Sequence, residues 1–174
     1  MNIVGIKNLD IENGIKSGVS VFVSGCTHNC LGCFNKEAQD FNYGNPFERE
    51  HMEKILNALG SKYIHRLTIL GGEPMEVKNQ SGVKNIIENV KEKYPEKMIW
   101  LYSGYTFEQI TDKNSPIYTK DTMDILNNID ILVDGEFVLS KKDLSLRFKG
   151  SSNQRVIDVK KTLKENKIIL SEYN

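Results

Sequence analysis

Three cysteines, Cys26, Cys30 and Cys33, fall within eight consecutive positions of a 174-residue chain that has no others. An odd count in so tight a group argues against structural disulfides and for metal ligands or reactive thiols in a reducing compartment. The spacing C-x-x-x-C-x-x-C on one loop aims three sulfurs at a common centre. Two metal chemistries use such a centre. Structural zinc wants four closed ligands, and here the fourth would be His28, His51 or His65. A cubane iron-sulfur cluster held by three thiolates keeps one iron free of protein ligands, open to a substrate. A third reading, three cysteines packed as small hydrophobes, sits poorly with the intervening Thr27, His28, Asn29 and Gly32.

Three other segments carry unusual residues: Gly71-Gly72-Glu73-Pro74, Ser103-Gly104-Tyr105 and Asp134-Gly135-Glu136. Each has an ordinary reading, because Gly and Pro punctuate turns and an aspartate at a strand end caps the next turn. Each also has a chemical one. Two glycines leave backbone amides and carbonyls open to close approach, and a following carboxylate can hold a ligand ammonium. An amino-acid ligand fits such a surface.

The elements that position these segments read as alternating strands and helices. Val19–Val23 is a short β-branched strand ending at Ser24-Gly25. Asn45 caps a helix with Pro46 at its first position, running to Gly60 with Met52, Ile55, Leu56 and Leu59 on one face. A strand follows from about His65 to Leu70. Val83, Ile86, Ile87 and Val90 recur at helical spacing up to Tyr94, where Pro95 ends the helix. Met98–Tyr102 is a strand, Thr106 with Gln109 signs a capping box, Thr119–Asn128 is a helix and Ile129–Val133 a buried strand. Arg155–Val159, a short helix through Leu163, and Ile168–Leu170 complete the chain.

Continuous apolar strands separated by helices indicate a mainly parallel sheet. The class is α/β. There are too few βα units for a closed eight-stranded barrel, which leaves a partial, open β/α barrel or a small doubly wound sheet, in one small domain spanning 1–174. All four unusual segments then follow a strand, at the edge where parallel α/β folds carry function.

With 23 basic and 23 acidic side chains and a pI near 6.8, no global charge argues for nucleic acid or an anionic membrane. The uncharged stretch Ser17–Asn35 is long enough to cross a bilayer. Apart from Val19, Val21, Phe22 and Val23, however, it is mostly Ser, Gly, Cys, Thr, His and Asn, unsuited to lipid. No secretory signal is expected and the protein reads as cytosolic.

A C-x-x-x-C-x-x-C loop followed by a Gly-Gly-Glu-Pro turn resembles the radical S-adenosylmethionine superfamily. Within it, Trp100–Tyr105 (WLYSGY), Ile131–Phe137 (ILVDGEF) and Arg147–Arg155 (RFKGSSNQR) are similar to the activating proteins of anaerobic ribonucleoside-triphosphate reductase. The resemblance spans about Val19 to Val159. It implies a partial barrel in which Cys26, Cys30 and Cys33, as thiolates, hold a 4Fe-4S cluster whose open iron is chelated by S-adenosylmethionine. It further implies that Gly71, Gly72 and Glu73 meet the methionine amino group and that Gly32 and Phe34 approach the adenine. Ser103 and Gly104 would line the ribose or carboxylate side, with Asp134 a further contact. Two positions depart from the pattern: related activases resemble Asp-x-Lys where this chain has Asp134-Gly135-Glu136, and Gly32 stands where many members have an aromatic residue.

The chemistry implied is one-electron cleavage of S-adenosylmethionine to methionine and a 5′-deoxyadenosyl radical. That radical takes hydrogen from a backbone glycine of the large reductase subunit, which makes the protein a glycyl-radical-enzyme activase and an oxidoreductase. Gly150–Arg155 would help dock the glycine-bearing loop, and a flavodoxin or ferredoxin would supply the electron. An activase of another glycyl-radical enzyme of the pyruvate formate-lyase type, a radical enzyme acting on a small molecule, and a zinc-binding module are the alternatives.

Overall fold

Four apolar runs pair side by side, all pointing the same way, to form the centre of one sheet. In the computed structural model, which describes residues 1–174, these are β2 (Gly18–Val23), β4 (Arg66–Gly71), β5 (Met98–Tyr102) and β6 (Ile131–Asp134). The register is parallel, Val23 opposite Gly71 and Tyr102 opposite Val133. Antiparallel strands flank them: β1 (Asn2–Asp10) pairs with β2, β3 (Asn45–Pro46) with β1, and β7 (Arg155–Asp158) with β6. The order β3-β1-β2-β4-β5-β6-β7 makes a seven-stranded mixed sheet, open at β3 and β7.

Strand β1 is absent from the sequence reading. Its residues NIVGIKNLD bury only Ile3 and Asp10, and register shifts interrupt it after Ile3 and after Lys7, so no period-two pattern announces it. The expected helix start at Asn45-Pro46 is also corrected. Those two residues pair with Asn2 and Ile3, an edge position that tolerates a proline. Helix α1 runs Arg49–Leu59 behind a Glu48/His51 capping box. Helices α2 (Val77–Lys93), α3 (Phe107–Thr111), α4 (Thr122–Asn128) and α5 (Val159–Glu165) follow, with the Thr106/Gln109 capping box at α3 as read. No helix is long and apolar enough to cross a membrane.

Alternation along each strand divides the sheet into two unlike faces. Val19, Val21, Val23, Leu67, Ile69, Ile99, Leu101 and Leu132 face a core supplied by all five helices, including Ile55, Leu59, Ile86, Ile110, Leu126 and Val159. The opposite face carries Ser20, Arg66, Thr68, Trp100 and Val133. Trp100 packs there against Ile131, Val133, Val156, Phe148 and Tyr173, its ring centroid 5.2 Å from Phe148 and 5.8 Å from Tyr173.

Toward β2, this second face is polar. Arg66 and Asp10 are both fully buried, 3.6 Å apart. The guanidinium donates to the carbonyls of Ile15 (3.0 Å) and Asp10 (3.1 Å) and to Thr68 Oγ1 (2.6 Å), while Asp10 accepts from Ser20 and Asn13. The pair thereby stitches the 10–17 loop under the sheet. Burial by itself would raise the Asp10 carboxyl, but the hydroxyl of Ser20, the amide of Asn13 and the backbone amides of Glu12 and Asn13 outweigh it and bring it down to about 2. A depressed folded-state value means that this stability is present above the ordinary carboxylate value of 3.8 and is lost as pH falls through about 2. Removing one partner strands the other in the interior. Asp10→Ala is expected to cost about 3–5 kcal/mol in urea unfolding at neutral pH, and Asp10→Asn to flatten the acid limb of the stability curve.

Candidate functional site

The carboxyl ends of β2, β4, β5 and β6 lie on one edge of the sheet, and the loops after them meet there. Glu73, 1% exposed, joins three of them. Its Oε1 accepts from Met75 N (2.8 Å) and Ser103 Oγ (2.9 Å); its Oε2 accepts from Gly104 N (2.6 Å) and pairs with His28 Nε2 (3.2 Å). A carboxylate has about four acceptor sites, and all four are used within the protein. Glu76 repeats the device one helical turn later: its Oε1 takes Thr27 N (2.8 Å) and Thr27 Oγ1 (2.6 Å). Asn79 Nδ2 donates to the carbonyls of Ser24 and Glu73, both at 2.9 Å. The Gly72 and Glu73 amides donate to Val23 O and Gly25 O. The Gly-Gly-Glu-Pro turn and the start of α2 therefore clamp the beginning of the cysteine loop.

His28 is the loop's own side of that clamp. Its ring is tilted against Tyr105 with centroids 4.2 Å apart, and it fills the space beside Gly104, where a Cβ would lie 2.6 Å from the imidazole. Burial alone would lower the His28 value, but the Glu73 hydrogen bond and charge, with Glu136 and Glu76 adding, give a net rise above the ordinary histidine range. His51 Nδ1 accepts from Glu48 N at the start of α1, and His65 precedes β4, at the opposite end of the parallel strands. None of the three histidines is thus free to complete a zinc site. No three His, Cys, Asp or Glu side chains converge closely enough to hold a single metal ion.

The three thiols are free and half-buried. Burial, with Glu73 adding, pushes Cys26 up to about 12; burial, then Glu136, which accepts from its Sγ at 3.5 Å, pushes Cys30 up to about 11. Backbone amides of His28 and Phe137 oppose these effects without cancelling them, so ligation at these sulfurs would need a cationic centre that displaces the protons. Three soft sulfur donors on one loop with no nitrogen donor at hand suit iron-sulfur chemistry better than closed zinc ligation.

A cavity opens beside Cys33. Of the residues expected at the ligand, Phe34, Gly71, Gly72, Ser103 and Gly104 line it. Gly32, Glu73 and Asp134 do not. Gly32 has φ +76°, and a Cβ there would lie 3.1 Å from Leu139, so an aromatic residue at this position would be strained. Phe137 stands nearby instead, its centroid 6.1 Å from that of Phe34. Asp134, fully buried, alternates with Val133 and shares the helix side with Leu132. There it accepts from Phe107 N (2.7 Å) and Arg155 Nε (2.9 Å), and Arg155 in turn grips Glu108 at 2.7 Å. Asn35, Leu70, Tyr102, Phe137, Gly150 and Gln154 complete the wall. Gln154 and Gly150 belong to the segment expected to dock the glycine-bearing loop, and the one sequence signal for their place at the cavity is a Gly/Ser/Asn/Gln loop following the last unusual segment.

A family description, "4Fe-4S single cluster domain", matches residues 13–157. The chain is 36% identical over 150 residues to the anaerobic ribonucleoside-triphosphate reductase-activating protein of Salmonella typhi, covering 85% of this chain and 92% of that one. It is 38% identical over 158 residues to that of Pasteurella multocida (88% and 95%). With the protein of that name from Enterobacteria phage T4, identity is 33% over 158 residues (90% and 93%). The chain belongs to this family of reductase-activating proteins. The family match over residues 13–157 contains the cysteine loop, the clamp and the cavity lining.

The family assignment leaves His28 and Gly104 to be tested on this chain. His28→Ala and Gly104→Ala remove the same latch, one by deleting the ring and the other by displacing it. Each is expected to raise amide exchange at least tenfold across residues 26–33 of the metal-free protein, with the double variant no worse than either single. His28→Gln, which keeps a donor toward Glu73, should restore part of the protection. Additive effects would show that the two positions act separately.

Proposed function

We propose that the protein activates anaerobic ribonucleoside-triphosphate reductase by radical S-adenosylmethionine chemistry, forming a glycyl radical on it. The observation that carries this reading is the convergence of a three-cysteine loop and a cavity lined by Cys33, Gly71, Gly72, Ser103 and Gly104 at one sheet edge, in a chain of the activating-protein family. Cys26, Cys30 and Cys33 would hold a 4Fe-4S cluster, and S-adenosylmethionine would occupy the adjoining cavity. Together they would supply one electron and a primary carbon radical that takes hydrogen from a glycine of the reductase.

The chain's own residues do the rest. Gly71 and Gly72 line the cavity with backbone alone, which leaves room for a methionine ammonium and carboxylate to approach. Glu73 acts through the loops it pins, holding Ser103 and Gly104 on one wall and, through His28, the cysteine loop on the other. Phe34 and Phe137 offer aromatic surface for an adenine, and Tyr102, well up from the ordinary tyrosine value through burial, stays a protonated, apolar wall. Asp134 braces β6 against α3 and β7 in place of a ligand contact. That all five helices pack on one face supports reading the mixed sheet as a partial, open β/α barrel, with the second face as its interior. Free thiols and an oxygen-sensitive cluster suit a reducing cytoplasm, with a small flavin or iron-sulfur protein as electron donor.

The test is the electron paramagnetic resonance spectrum of anaerobically reconstituted, chemically reduced protein. A reduced-cluster signal that changes on adding S-adenosylmethionine, with methionine released, is expected for the native chain, and Cys30→Ala should lose both. Glu73→Ala should retain iron while binding S-adenosylmethionine at least tenfold more weakly. Zinc in place of iron, with no cleavage, would overturn the reading.

A further inference from the structure

The rim of the cavity carries large apolar side chains in water. Leu31 is 77% exposed, Phe34 74% and Leu139 44%, and they are contiguous. Leu139 reaches within 3.1 Å of a Cβ built on Gly32. Phe34 neighbours Phe137, and Leu31, Phe137, Val138 and Leu139 line one surface depression with Ser140 and Glu136, whose carboxylate is turned to Cys30 Sγ at 3.5 Å. Isolated exposed hydrophobes need no explanation, but a contiguous group bordering a site marks a surface meant to be covered.

The charge beside this shelf is lopsided. The chain as a whole is balanced at 23 to 23, yet 141–149 (KKDLSLRFK) holds four cations and one acid. That acid, Asp143, accepts from Ser145 N and Oγ, and the segment keeps an excess of cations. None of Lys36, Lys141, Lys142, Arg147 and Lys149 takes part in an ion pair. Lys142 lies over the Phe34 ring, 5.0 Å from its centroid, bringing the cations to the edge of the apolar shelf. By contrast Arg155, at the end of the Gly150–Arg155 segment, is fully consumed by Asp134 and Glu108.

We propose that the shelf of Leu31, Val138 and Leu139, with Lys141 and Lys142 at its edge, is the docking surface for the reductase segment that presents the glycine. The proposal rests on the activase reading above. It commits to a protein segment of defined chemistry: apolar side chains that seat on the shelf, flanked by acidic residues that meet the unpaired lysines. A glycine reaching the cavity passes this rim, and seating the segment covers the mouth and keeps water from a reactive carbon radical. Apolar contact sets how long the complex lasts, whereas the lysines set its encounter rate and salt dependence.

The experiment uses the full-length, cluster-loaded protein and the cognate anaerobic reductase. Lys141→Glu/Lys142→Glu and, separately, Leu31→Asp are compared with the native chain in reductase affinity, in affinity as a function of salt, and in reductase-independent S-adenosylmethionine cleavage under chemical reduction. The expected result is cleavage unchanged in the lysine variant, a dissociation constant for the reductase raised at least tenfold in both variants, and a flatter salt dependence for the lysine pair. Native-like affinity in both variants, with cleavage intact, would overturn the docking proposal and leave the activase reading standing. Absence of cleavage in the native chain would overturn the activase reading itself. Lysine-dependent binding of single-stranded DNA in preference to the reductase would reassign the patch to nucleic acid and also overturn the proposal.

Discussion

Everything at the site edge depends on the Glu73 carboxylate being buried and fully accepted. Three loops leave three parallel strands, and nothing in a parallel sheet's own hydrogen bonding fixes one such loop against another. Glu73 does so by placing two acceptor atoms where the β4, β5 and cysteine loops all have donors. A buried carboxylate with one donor missing is costly, and with all donors present it specifies a single arrangement. Glu76 and Asn79 extend the same logic along the first turns of α2 to Thr27 and Ser24, so the cysteine loop is anchored at its start.

The sheet's two faces serve different ends. The helix face is mostly apolar and carries most of the burial, with Asp134 and Gln80 as buried polar exceptions. The other face combines the Asp10–Arg66 network with the Trp100 aromatic cluster, so it is held by directional contacts that tie in the 10–17 loop and the C-terminal segment. The cavity opens at the end of this second face, where Tyr102 and Leu70 belong to both strand and wall. A parallel sheet presents its strand ends together, and that geometry brings residues as distant in sequence as Cys33 and Gln154 to one cavity.

The thiols and the acids around them are mutually unfavourable in the metal-free chain. Cys26 and Cys30 sit among Glu73, Glu76 and Glu136, and burial with these charges holds both thiols protonated well above their ordinary value. A cationic centre would reverse that balance, because positive charge is what such an acidic, sulfur-rich loop lacks. His28, turned to Glu73 and Tyr105, serves the architecture of the loop.

The three-cysteine spacing, the capping box at Thr106 and the apolar runs of the central strands are local in sequence, and each was legible without a structure, because ligand spacing, caps and buried strands depend on residues a few positions apart. The same holds for the glycines of the Gly-Gly-Glu-Pro turn. Strand β1 was not legible, since its bulges and its single buried hydrophobe leave no period; nor was the Asn45-Pro46 pairing, where a strong helix-start signal lost to an edge strand partner. The roles of Glu73 and Asp134 were decided by tertiary structure alone. Each is a carboxylate after a strand, and only the donors brought in from 30 and 21 residues away determine that both are filled from within the protein. Residue types and short spacings carry chemistry; which charge is satisfied and which left open is a matter of three-dimensional neighbours, and a sequence does not contain those until it folds.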